Sequence, residues 1–137
     1  MNNSIKYRGS ERGGAGVKFL IVFVLILLTA HAGYNYVPVA YSAENLKGDM
    51  QASVLQGLAL PGKINPVDNV KTRIQKAIVQ NDIPPDAIVE VKAAGNSMSA
   101  HVVYSTPVNL LPFGMYRYMY NFDQTVTPTG FLLKQNN

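Results

Sequence analysis

The chain is 137 residues long, has no cysteine and no tryptophan, and carries 12 Lys and Arg against 8 Asp and Glu, for a net charge of +4. Without cysteine there is no disulfide framework, no thiolate metal site and no c-type haem attachment motif. The basic excess is also distributed unlike that of a nucleic-acid binder. Residues 1–18 hold Lys6, Arg8, Arg12 and Lys18 against Glu11, whereas residues 42–137 are close to electroneutral.

The first element in chain order is residues 17–41, within which Phe19 opens a run of 10 large apolar residues ending at Leu28. A stretch of about 20 mostly apolar residues is long enough to cross a hydrocarbon core. Tyr34, Tyr36 and Tyr41 follow, where an interfacial aromatic belt belongs. Basic residues close to a membrane helix tend to stay in the cytoplasm, so this charge pattern predicts a cytoplasmic N-terminus and an outer domain. The expected location is therefore the bacterial inner membrane, with residues 1–16 as a basic tail or leader. Residues 17–41 are then the transmembrane helix, and residues 42–137 a small periplasmic or extracellular domain. A rival reading treats the same segment as a secretory signal, with Ala30-His31-Ala32 as its cleavage site.

Gly13, Gly14 and Gly16 stand just before the apolar run, and Pro38 lies 22 residues beyond Gly16. This N-terminus resembles that of type IV pilins and pseudopilins, in which a basic leader ends in glycine and an apolar helix carries a proline kink. Where those families place a glutamate, this sequence has Ile21. The resemblance implies leader cleavage after Gly16 and self-association through the helix. Val37-Pro38-Val39-Ala40-Tyr41, with the strand from Val102 to Val108, also resembles short uncharacterised bacterial single-pass envelope proteins. That resemblance implies an architecture rather than a chemistry.

Pro38 predicts a kink at the membrane exit, with the helix continued or followed by an amphipathic one. Leu46, Met50, Val54 and Leu58, with Leu55 alongside, draw an apolar stripe on it. Asn65-Pro66 reads as N-cap and first-turn proline of a second helix, with Asp68 near its positive end. Its apolar face is Val67, Val70, Ile74, Ala77 and Ile78, and the segment from Asn81 to Pro85 stops it.

Beyond Pro85 the apolar period shortens from about 3.6 to 2. Residues 87–93 and 98–106 form an expected hairpin around Gly95 and Asn96, while Pro107 and Pro112 make residues 108–111 an edge or connecting piece. Residues 115–126 alternate again, with Tyr116, Tyr118, Tyr120 and Phe122 on one face. Phe131-Leu132-Leu133 is a candidate last strand. The predicted fold class is α+β, two helices packed on a three-stranded antiparallel meander after the membrane helix.

No constellation of reactive groups points to catalysis, and the chain is expected not to be an enzyme. His31 lies inside the apolar segment, where an ionisable side chain is a functional candidate; as a cofactor ligand it lacks a second ligand nearby. His101 stands without an evident acid partner, and Asp82 and Asp86 read as proline-turn residues. No catalytic, metal or cofactor site is expected. The interaction candidates are Pro38 and the aromatic row Tyr116, Tyr118, Tyr120 and Phe122, which reads either as a stacking platform or as a face packed on helices. The expected partners are the membrane and other membrane or envelope proteins, including further copies of the chain, and not nucleic acid. The function expected is that of an anchored envelope protein making protein contacts. A filament subunit and an accessory subunit of a respiratory or photosynthetic complex are the alternatives.

Overall fold

A computed structural model describes residues 14–59, 65–95 and 97–128. The element order is α1 (Gly14–Leu58), α2 (Pro66–Gln80), β1 (Ile88–Ala94), β2 (Ser97–Asn109), a single 3-10 turn (Pro112–Gly114) and β3 (Arg117–Val126). This is an α+β fold whose three antiparallel strands lie in the order β1-β2-β3.

The membrane-length segment and the amphipathic segment after it are one helix. α1 runs unbroken for 45 residues through Pro38, a length of about 68 Å at 1.5 Å per residue. Its two ends live in different surroundings. Residues 14–27 are exposed on every side, whereas from Leu28 onward one face is covered. That face contains Leu28, Ala32, Asn35, Val39, Ala43, Leu46, Met50, Val54 and Gly57, at spacings of three and four. Between Ala32 and Ala43 this face includes small or polar residues, so hydrophobic periodicity reveals only its outer half. Leu55 and Leu58, expected in the stripe, are exposed, and Gly57 is buried in their place. A side-chain carbon at Gly57 would collide with Val70 Cγ2, so this glycine permits the close approach of α1 and α2.

α2 begins as expected. Asn65 Oδ1 accepts the Val67 N–H at 3.1 Å, Pro66 occupies the first turn and Asp68 stands near the N-terminus. Val70, Ile74, Ala77 and Ile78 are buried. At the other end Asn81 donates to Ala77 O and to Asp49 Oδ2, both at 2.9 Å, and so ties the end of α2 to α1.

β1 and β2 pair from Ile88↔Val103 to Ala94↔Ser97, and Gly95, which follows β1, has φ +59. β2 is the central strand and runs through Pro107 to Asn109, with Val108 buried. The expected edge or connecting piece at residues 108–111 is thus the tail of β2, where Val108 and Asn109 pair with β3 alone, followed by the connection at 110–111. β1 pairing ends at Val103, so Pro107 lies where β2 has a neighbour on one side only, a position that tolerates a missing amide. Met98, Ala100, Val102, Tyr104 and Phe122 face the helices and close the core with Leu46, Met50 and Ile74. The expected final strand at 131–133 lies outside the described residues.

Candidate functional site

Two surfaces can carry function: the seam where the β2–β3 hairpin lies along α1, and the sheet face that no helix covers. The hairpin is long enough to reach past the core toward the apolar end of α1. Tyr104 and Thr106 share a cleft of about 200 Å³ with Pro38, Val39 and Ser42 of α1. Further along, Tyr36 packs between Tyr118 and Tyr120, with ring centroids 6.3 and 6.0 Å apart. At the end of the hairpin, His31 Nδ1 stands 3.3 Å from Leu110 O. A carbonyl oxygen only accepts, so His31 makes this bond with its Nδ1 proton. Asn35 Nδ2 donates to His31 O at 3.0 Å and lies against the imidazole ring. The half-buried histidine is thus occupied in holding the hairpin to the helix.

The aromatic row divides along its length. Phe122 is buried and stacks on Tyr104, with centroids 4.9 Å apart. Tyr120 and Tyr118 lie against Tyr36, and Tyr116 is exposed. Burial holds the Tyr104 hydroxyl in its neutral form, with neighbouring Tyr120 acting in the same direction, and its pKa is pushed up to about 12. Tyr120 is raised by burial, then by Tyr36, Glu44 and Tyr118. The Tyr104 hydroxyl is buried without a hydrogen-bond partner.

On the uncovered face, His101 Nε2 lies 2.6 Å from Asp123 Oδ1. This supplies the acid partner that His101 lacks in the linear sequence. The two are 22 residues apart and meet only through the β2–β3 register, in which His101 opposes Thr125 and Asp123 opposes Val103. Local spacing carries no signal for such a diagonal pair. Both members are solvated, which limits the contact to about 0–1 kcal/mol. Beside it Ser105 Oγ donates to Asn121 Oδ1 at 2.7 Å, which leaves this serine no base. Glu90, Lys92, Arg117 and Met119 fall on the same face by register. The arrangement is a polar surface with apolar spots. Among the described residues no three His, Asp or Glu side chains converge as a metal site would require.

An open groove of about 500 Å³ lies between α1 and the end of β3, bordered by Lys47, Gln51, Leu55, Thr125, Val126 and Pro128. Pro38 is exposed at the rim of the smaller cleft, facing Ile83 and Pro84. One helix, α1, is long and apolar enough to cross a membrane, and none of its most apolar window is buried by the rest of the chain. No family model matches this chain, and neither a curated protein nor a solved structure matches it.

Proposed function

We propose that this chain is a non-enzymatic, single-pass membrane protein of the bacterial envelope whose small outer domain makes contacts with other envelope proteins. The observation that carries the proposal is the division of α1: its first two turns and the apolar run are uncovered, while its other half is part of the domain core. An exposed apolar helix of this length is unfavourable in water and favourable in lipid. Lys18 and the upstream basic residues favour a cytoplasmic N-terminus. Cleavage after Ala32 would remove Leu28 and His31 from the packed seam, which favours an uncleaved anchor. The domain's uncovered sheet face, with its mixture of polar and apolar residues, is the surface offered to a protein partner.

The reading is tested by alkaline extraction of membranes, by protease access to the domain from each side, and by the intact mass of the chain. Retention in the membrane and digestion only from outside are expected. A chain beginning at Gly33 and released to the soluble fraction would overturn it.

A filament subunit is the second reading. It is favoured by the rigid continuity between an uncovered apolar half-helix and a small sheet domain, a shape that packs in bundles of copies. Sheared filaments containing a chain that begins at Val17 would establish it in preference to the first.

A further inference from the structure

The β2–β3 hairpin ends in a tip whose placement along α1 has consequences for a membrane protein. The tip, residues 110–116, reads Leu-Leu-Pro-Phe-Gly-Met-Tyr and has no charged residue. Phe113 is 98% exposed and Met115 67% exposed, and Leu110 and Leu111 are only partly covered. Phe113 also has φ 59, a left-handed conformation that glycine adopts freely and a bulky side chain does not. Packing within the domain does not account for a strained backbone that presents a fully exposed phenylalanine.

The bond from His31 to Leu110 sets the level of the tip along the helix axis. His31 lies 13 residues beyond Lys18, a rise of about 20 Å at 1.5 Å per residue. A hydrocarbon core is about 30 Å thick. With the charge of Lys18 at the inner boundary, the outer boundary falls near Pro38, and the tip lies about 10 Å inside it. The tip also satisfies much of its own backbone, as lipid requires. The Leu110 and Leu111 amides both donate to Tyr116 O, at 3.1 and 3.4 Å, and the Met115 amide donates to Pro112 O at 3.4 Å. Pro112 has no amide to satisfy, and Leu110 O is taken by His31. Arg117, the first charged residue after the tip, lies with its guanidinium beside Gly114, and its long side chain must turn outward to bring that charge to the headgroups.

We infer that the 110–116 tip is a second membrane contact, inserted among the acyl chains of the outer leaflet with Phe113 and Met115 as its apolar wedge. It rests on the proposal that α1 spans the bilayer. The spanning helix and the tip together fix the domain in tilt and rotation, which one helix alone leaves free.

The absence of tryptophan makes a clean test. The full chain carrying Phe113→Trp, Met115→Trp, Val24→Trp or Val79→Trp is reconstituted, at low protein density, into phosphatidylcholine–phosphatidylglycerol vesicles. The lipids are brominated either near the glycerol end or near the methyl end of the acyl chains. Val24→Trp is expected to lose most emission to bromine near the methyl end, and Val79→Trp, on the exposed side of α2, to lose none. Phe113→Trp and Met115→Trp, about 10 Å below the outer boundary of a leaflet about 15 Å deep, are expected to shift to shorter wavelength and to lose emission to bromine, more to that near the methyl end than to that near the glycerol end. Unquenched tryptophan at both 113 and 115, with position 24 quenched, overturns the inference and leaves the anchor standing. Blue-shifted but unquenched emission there overturns it in favour of burial against another chain. Loss of quenching at position 24 overturns the anchor and the tip together.

Discussion

His31 on α1 and Leu110 at the end of β2, 79 residues apart, are joined by a 3.3 Å contact between imidazole Nδ1 and a backbone carbonyl. The contact turns a histidine that would be costly in an apolar helix into the fastening of a hairpin. It also explains why Asn35 follows one turn later, since its amide donates to His31 O and supports the ring. His31→Ala is expected to remove about 1 kcal/mol from this seam. Hydrogen exchange should then quicken about fivefold at the Leu110 and Leu111 amides, while α2 amides keep their rates. Equal quickening throughout the domain would show that the contact supports the whole fold rather than the hairpin.

Gly48 and Gly57 both lie in the outer half of α1, and their substitution is expected to act in opposite directions. A side-chain carbon at Gly48 meets nothing within 4 Å, so Gly48→Ala should stabilise the helix by about 0.5–1 kcal/mol. At Gly57 the new carbon would collide with Val70 Cγ2. Overpacking costs about 1–3 kcal/mol, enough to outweigh the helix-propensity gain. The urea midpoint of the domain should rise for the first and fall for the second. Gly57→Ala combined with Val70→Ala should lose less than the two single changes together.

The contrast between the two glycines shows how much of this protein is legible in its sequence. The cap at Asn65, the face of α2, the turn at Gly95 and the alternation of β3 each depend on neighbours within a few residues, and local chemistry reveals them. The apolar run at the start of α1 is legible from composition alone, whereas its unbroken continuation through Pro38 is not. By contrast, the requirement for Gly57 comes from Val70 across an interhelical contact, and the pairing of His101 with Asp123 comes from a register that spacing does not encode. The covered face from Leu28 to Ser42 stays hidden for another reason: His31, Asn35 and Ser42 lie on it, so it has no hydrophobic signature. Pro107 interrupts the strand pattern in sequence, because the end of β1 pairing at Val103, which makes room for it, carries no local signal.

Tyr104 should impose a high-pH limit on stability. Burial holds its pKa at about 12 in the fold, against 10.0 for the ordinary side chain. The unfolded chain therefore loses this proton first, so the stabilisation is complete below pH 10 and disappears as pH rises toward 12. Tyr120, raised by burial and by Tyr36, Glu44 and Tyr118, acts in the same direction. Tyr104→Phe should flatten the fall in urea midpoint over this range and leave the smaller part due to Tyr120. At neutral pH it removes a buried hydroxyl that has no partner, so stability should rise by about 1 kcal/mol. A loss there would show that the hydroxyl is satisfied in solution.

Pro38 sits where the uncovered and packed parts of α1 meet, and it deprives the Tyr34 carbonyl of its helical donor. A proline inside a helix costs about 3 kcal/mol relative to alanine. Because Pro38 is exposed and touches the rest of the domain only at the rim of a cleft, little packing is lost when it is replaced. Pro38→Ala is therefore expected to raise the urea midpoint, by an amount corresponding to about 1–3 kcal/mol. A proline also bends its helix, because the ring displaces the preceding turn. Straightening α1 at this point should swing the hairpin relative to the apolar run. In the Phe113→Trp background, Pro38→Ala should thus alter the ratio of quenching by bromine near the methyl end to that near the glycerol end, while the ratio for Val24→Trp stays the same. Greater stability with unchanged quenching at position 113 would mean that the His31–Leu110 fastening, and not the proline, sets the position of the tip.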